Sequence, residues 1–180
     1  MRARPLDLAG VLLPMLFVAA LSLAGAGCTR ISVAHLEAKP WRAGLAETVT
    51  TKYWRFAYTA YLSGEAYGLR GMATPVPAVL PSWADRLDEL TITVFLRDAS
   101  GNVIAQADKT YRGMPLRPDA AMPFSFELHP DPVAAADDLS VSFGYKALYG
   151  SSKARAALPA AGPPPAGTVF FASEGAITRR

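Results

Sequence analysis

Five aromatic side chains within nine residues form the densest chemical feature of the chain: Tyr53, Trp54, Phe56, Tyr58 and Tyr61. Side chains alternate across an extended strand, so Trp54, Phe56 and Tyr58 share one face while Tyr53 and Tyr61 share the other. Aromatics on both faces exceed what a single core-facing side needs. They point to an exposed patch that receives a protein partner or an apolar ligand. The alternative has Trp54, Phe56 and Tyr58 packing inward and Tyr53 and Tyr61 lying under the proline-rich stretch that follows. Other chemistry is sparse. His35 and His129 have no Cys, His or carboxylate neighbour at metal-ligand spacing. The acidic groups Asp85/Asp88/Glu89 and Asp131/Asp137/Asp138 lack the alternate-residue spacing of a calcium loop and suit turns and caps. The chain has no G-x-S-x-G elbow, S-x-x-K pair, phosphate loop or dinucleotide fingerprint. These residues assign no catalytic group, metal or cofactor, and the expectation is a protein that is not an enzyme.

Cys28 is the single cysteine, so no disulfide can form within the chain. Arg2 and Arg4 open the sequence, an apolar run from Leu8 to Leu23 follows, and Ala24-Gly25-Ala26-Gly27 leads into Cys28. A positive start, an apolar run and a small-residue zone are the layout of an export signal. The run is short for a spanning helix, which needs about 20 apolar residues, and Pro14 interrupts it. Cleavage after Ala26 would release a soluble protein with one unpaired thiol in an oxidising compartment, an uncommon arrangement. Gly25 to Cys28 resembles the lipobox of bacterial lipoproteins, with Gly25 where an aliphatic residue is usual. That resemblance implies a signal peptide over residues 1–27 and acylation of Cys28. One acyl chain holds a protein only marginally, whereas two or three on one cysteine anchor it stably. Thr29 stands where Asp would mark retention in the inner membrane, which by the same resemblance implies the outer membrane, facing the periplasm.

Removing Arg2, Arg4 and Asp7 with the first 27 residues lowers the net charge from +3 to +2. So small and scattered a surplus gives no basic face for nucleic acid. About 150 remaining residues suffice for one domain with its own core. Residues 28–47 read as a tether around Pro40 and Gly44, and residues 48–150 as the folded domain. Strands are expected over Glu47–Tyr61, Glu89–Arg97, Val103–Tyr111, Phe124–Leu128 and Leu139–Ala147, where apolar residues recur every second position. Asp98 to Asn102 reads as a turn joining the second and third of these. Gly64–Pro81, with Gly68, Gly71, Pro75, Pro77 and Pro81, reads as an extended loop, and Ser82–Asp88 as one helical turn. Residues 151–167 read as a Pro/Ala-rich linker or long loop, and 168–180 as a last edge strand and tail. The expected architecture is all-β, an antiparallel immunoglobulin-like sandwich of roughly six or seven strands.

From Glu89 onward the order of features resembles the FxLYD-type immunoglobulin-like modules of bacterial surface proteins. The resemblance rests on Val94-Phe95-Leu96-Arg97-Asp98, on Ala99-Ser100-Gly101-Asn102-Val103, and on Pro123-Phe124-Ser125-Phe126. It implies a sandwich fold in an extracytoplasmic setting and brings no catalytic residues. Together these readings give a lipid-anchored structural or interaction module of the cell envelope. Its expected contacts are the membrane, through lipid on Cys28, and an envelope protein. The alternative is a carrier of an apolar small molecule in a cavity between the sheets.

Overall fold

The computed structural model describes residues 30–117, 119–131, 138–156 and 168–179. The chain divides into two units. Ile31–Ile177 carries the sandwich; Met1–Arg30 with Thr178–Arg180 forms the other, of which Arg30, Thr178 and Arg179 are described.

Eleven strands are present among the described residues: β1 (Arg30–Ser32), β2 (Lys39–Pro40), β3 (Ala46–Thr50), β4 (Trp54–Ser63), β5 (Ala66–Pro75), β6 (Arg86–Arg97), β7 (Val103–Pro115), β8 (Met122–Leu128), β9 (Ser140–Gly150), β10 (Val169–Glu174) and β11 (Ile177–Arg179). One sheet runs β3-β4-β5-β8. The other runs β10-β9-β6-β7, with β2 also pairing β9, and all these pairings are antiparallel. β1 and β11 form a separate two-stranded sheet. The chain changes sheet between β2 and β3, β5 and β6, β7 and β8, and β8 and β9. The orders β4-β5-β8 and β7-β6-β9-β10 are therefore those of an immunoglobulin-like sandwich, with β3 added outside β4.

The expected class holds, with more strands than the alternation suggested. Gly64–Pro81 is not a loop: β5 occupies most of it, paired along ten residues with β4 and along seven with β8. Its glycines fit because their neighbours come very close. A Cβ on Gly71 would meet the Ala57 carbonyl oxygen, and one on Gly68 would meet the Tyr61 ring. Residues 30–47 are not a loose tether either. They carry β1, β2 and the start of β3, and Val33, Leu36 and Trp41 are buried. Ser82–Asp88 makes no helix; a 3-10 turn falls earlier, at Pro77–Val79, and β6 starts at Arg86. The region 151–167 begins with a short helix, Ser152–Ala156, and its residues 157–167 lie outside the described residues. The edge strand at 168–180 is β10, matched to β9 over six residue pairs.

The expected turn between β6 and β7 forms as its residues dictate. The Asp98 carboxylate accepts hydrogen bonds from the Asn102 backbone N–H at 2.8 Å and from the Asn102 side chain at 3.0 Å. Gly101 takes φ +80°, a conformation costly to residues with a Cβ. The same hydrogen bonds hold the Asp98 carboxyl below its ordinary pKa.

Between the sheets the core is aromatic. Phe56 from β4 stacks on Phe143 from β9 at 4.8 Å, and Phe124 from β8 packs edge-on against Phe56. Trp54 Nε1 donates to the Tyr149 hydroxyl at 2.8 Å, a buried hydrogen bond that joins the two sheets. On the side where β7 faces β8, the Tyr111 hydroxyl donates to the Pro123 carbonyl at 2.6 Å.

Candidate functional site

The aromatic segment separates into core and flank. Trp54, Phe56 and Tyr58 are 0, 0 and 4% exposed, so they build the core and are closed to a partner. Tyr53 is half-buried against Phe170 and Tyr149, under the Lys52 ammonium. Its carbonyl accepts from Val76 N–H, which sets it beside the proline-rich turn, as the inward alternative expects. Tyr61 does not lie there. At the other end of β4 its ring crosses Gly68, its hydroxyl is 3.3 Å from Ser125 Oγ, and the Arg70 guanidinium sits 5.7 Å from the ring centre. The five residues thus form no single patch. The space beside Trp54 and Phe56 that an apolar carrier would use is taken by Tyr149, Phe124 and Phe143.

Electrostatics in the core are those of buried phenols. Burial pushes the Tyr58, Tyr145 and Tyr149 hydroxyls well above the ordinary phenol value. The Glu174 carboxylate adds to the effect at Tyr145, and Glu47 adds to it at Tyr58. These groups stay neutral, which suits packing and leaves no base or nucleophile among them.

Asp85, Asp88 and Glu89 serve local structure. Asp85 accepts from Ser152 N–H at 2.6 Å, Asp88 pairs with Arg86 at 2.6 Å, and Glu89 pairs with Arg112 at 3.0 Å. His35 and His129 are exposed. Among the described residues no three His, Cys, Asp or Glu side chains gather as a metal site, and no helix is long and apolar enough to cross a membrane. Cys28 and Asp137 lie outside the described residues.

The concave site lies on the outer face of the sheet β10-β9-β6-β7. Its floor follows from register. Gln106, Phe95 and Ser142 stand in one row across β7, β6 and β9; Asp108, Thr93 and Gly144 make the next; Thr110, Thr91 and Lys146 make the third, continued on β10 by Ser173. One wall is the segment after β1, where Val33 and Leu36 bury themselves against Phe95. The other is the end of β10 and the residues leading to Ile177. That wall can lie on the sheet because residue 144 is glycine. A Cβ there would come within 2.9 Å of the Glu174 carbonyl oxygen and 3.2 Å of the Phe95 ring. Between the walls is a groove of about 580 Å³, open to solvent. That volume lies in the range of small-molecule sites. Sequence reading missed it because its floor comes from three strands and its walls from stretches some 140 residues apart. Its one local signal was the glycine in the middle of β9.

The fold and this groove define an immunoglobulin-like sandwich with a polar, open face on the sheet β10-β9-β6-β7. No protein-family model and no curated protein matches the chain. A solved structure of an arabinose-bound MgGH51 α-L-arabinofuranosidase aligns with 67% of this chain and 24% of its own, at 17% identity and a TM-score of 0.25. A likeness of that size carries no argument about fold or activity.

Proposed function

We propose that the chain is a lipid-anchored module of the bacterial cell envelope, held through acylated Cys28 and working by binding and not by catalysis. The outer membrane, facing the periplasm, is its proposed location. The groove on the outer face of the sheet β10-β9-β6-β7 is the surface through which it meets an envelope partner. The observation that carries the binding half is the contrast inside this groove: polar side chains converge on a concavity, yet no set of them has the geometry of a nucleophile with its base or of a metal centre. The lone cysteine after an export-type segment supports the anchor half.

Two measurements test the halves separately. Intact mass of the protein from the membrane fraction should carry the added mass of acyl chains on Cys28. Cys28→Ala should leave the chain unprocessed or release it from that fraction; an unmodified Cys28 in the mature protein overturns the anchor. A photo-crosslinking residue at Ser173, in the groove, should trap a discrete envelope protein that the same residue at exposed Leu62 does not. Equal trapping at both positions overturns the groove as the contact surface.

A further inference from the structure

We infer that the groove is a binding site for a small zwitterion, an amino acid or short peptide with free termini. This goes beyond the reading of the groove as the contact surface for an envelope protein and does not depend on the acyl anchor.

The inference starts from two opposite charges on the same floor that do not satisfy each other. Asp108 projects from β7 and Lys146 from β9, with β6 between them and one side-chain row of offset along the strands. Two strand spacings and one such offset put their Cα atoms roughly 12 Å apart. Among the described residues neither side chain makes a hydrogen bond or an ion pair. The contrast is with the charges elsewhere on the same sheet: Arg86 is paired with Asp88, Arg112 with Glu89, and Arg97 bonds Ser142 and the Gly101 carbonyl.

Around the two charges stand uncharged groups of both hydrogen-bonding kinds. Thr93 lies beside Asp108, Gln106 lies one row away, and His35 and Ser173 stand at the walls. None of these four side chains has a hydrogen-bond partner among the described residues. A ligand with an ammonium group toward Asp108, a carboxylate toward Lys146 and amides between would answer both charges and pass over Thr93. A peptide chain advances at most about 3.3–3.6 Å per residue. One to three residues therefore fit between the two side-chain ends. A purely apolar ligand would leave both charges unanswered. An anion or a cation alone would answer one and face the other.

The test uses the mature protein, isotopically labelled, and tri-alanine with free termini as the probe. Titration should move the backbone amide resonances of Thr93, Gln106 and Lys146 while leaving those of the opposite sheet, such as Thr59, in place. Asp108→Asn and Lys146→Gln should each weaken binding roughly three- to fivefold, as expected of exposed ion pairs. The pairing of charges makes a sharper demand. Asp108→Asn should cost nothing with N-acetylated tri-alanine, and Lys146→Gln nothing with the C-terminal amide. Fully blocked tri-alanine that shifts the same amides with the same affinity overturns the inference, as does the absence of any groove response up to millimolar peptide. In either case trapping of an envelope protein at Ser173 would leave the groove as a contact surface of another chemistry; loss of that trapping as well would remove both.

Discussion

The two faces of the sheet β10-β9-β6-β7 carry the same strands and obey opposite rules. The inner face presents Leu90, Ile92, Val94, Phe143, Tyr145 and Tyr149, all buried, and its polar atoms are drawn into the packing, as when Tyr149 receives the Trp54 N–H. The outer face alternates with it residue by residue and presents Thr93, Asp108, Lys146 and Gln106 around a solvated groove. A shift of one residue in register would exchange the two sets, so hydrophobic burial on one side fixes where the polar groups stand on the other. The core thus acts as the positioning device for the groove, without touching any ligand.

The largest break of this comparison is Phe143→Ala. Phe143 is buried beneath Phe56, Tyr58 and Phe124, all within ring-contact distance. Truncation there should cost about 3–5 kcal/mol, since it removes apolar contact and leaves a cavity that the surrounding rings fill only in part. Urea denaturation followed by tryptophan fluorescence measures it. A loss under 1 kcal/mol would mean that the inner face is less tightly packed than the stacked rings imply.

The next effect comes from pH. Tyr58, Tyr145 and Tyr149 keep their protons to higher pH in the folded chain than in the unfolded chain, where a phenol titrates near 10. Below about pH 10 both states are protonated and the contribution is fully present. Above it the unfolded chain binds fewer protons, so stability falls as pH rises. Each such tyrosine adds a slope of up to about 1.4 kcal/mol per pH unit. Unfolding midpoints should therefore stay level up to about pH 9 and drop steeply beyond pH 10. Tyr149→Phe should make the drop shallower; a flat profile through pH 11 would show that the phenols are reached by solvent.

How much of this was readable in the residues differs by region for physical reasons. The alternation along Trp54–Leu62 and Leu90–Leu96 announces strands because each has one wet and one dry side. The turn at Asp98–Asn102 was readable because a capping carboxylate and a glycine act within five residues. β5 was not, because Gly68, Gly71 and Pro75 carry the composition of a loop while serving close contacts with Tyr61 and Ala57 that only the fold creates. The span 28–47 looked like a tether because its buried residues, Val33, Leu36 and Trp41, follow no period: Val33 and Leu36 pack on Phe95, while Trp41 joins the main core against Tyr67. The single strand expected over Glu47–Tyr61 is two, β3 and β4, folded back on each other at Thr51–Tyr53, so only Trp54 to Tyr61 of the aromatic segment lies in one strand; its inward face was one of the two readings weighed. As an exposed patch it could not survive the pairing of β4 between β3 and β5, which turns Trp54, Phe56 and Tyr58 toward the other sheet. The groove left almost no trace, since Asp108 and Lys146 become neighbours only after β6 has paired with both β7 and β9.

The smallest expected effect is the most informative about the groove. Asp108→Asn and Lys146→Gln, singly or together, should change unfolding free energy by less than about 0.5 kcal/mol, because both side chains are exposed and make no ion pair among the described residues. The same substitutions carry the ligand effects set out above. Groups retained for stability would show the reverse pattern, a measurable loss on substitution and no change in binding. The pair should also be additive in stability, since side chains roughly 12 Å apart at their Cα atoms interact weakly across solvent. With the peptide bound, the two substitutions should become coupled, because one ligand then touches both. A double-mutant cycle measured with and without tri-alanine separates these cases, and coupling already present in the free protein would mean that Asp108 and Lys146 pair with each other and leave the groove nothing to offer.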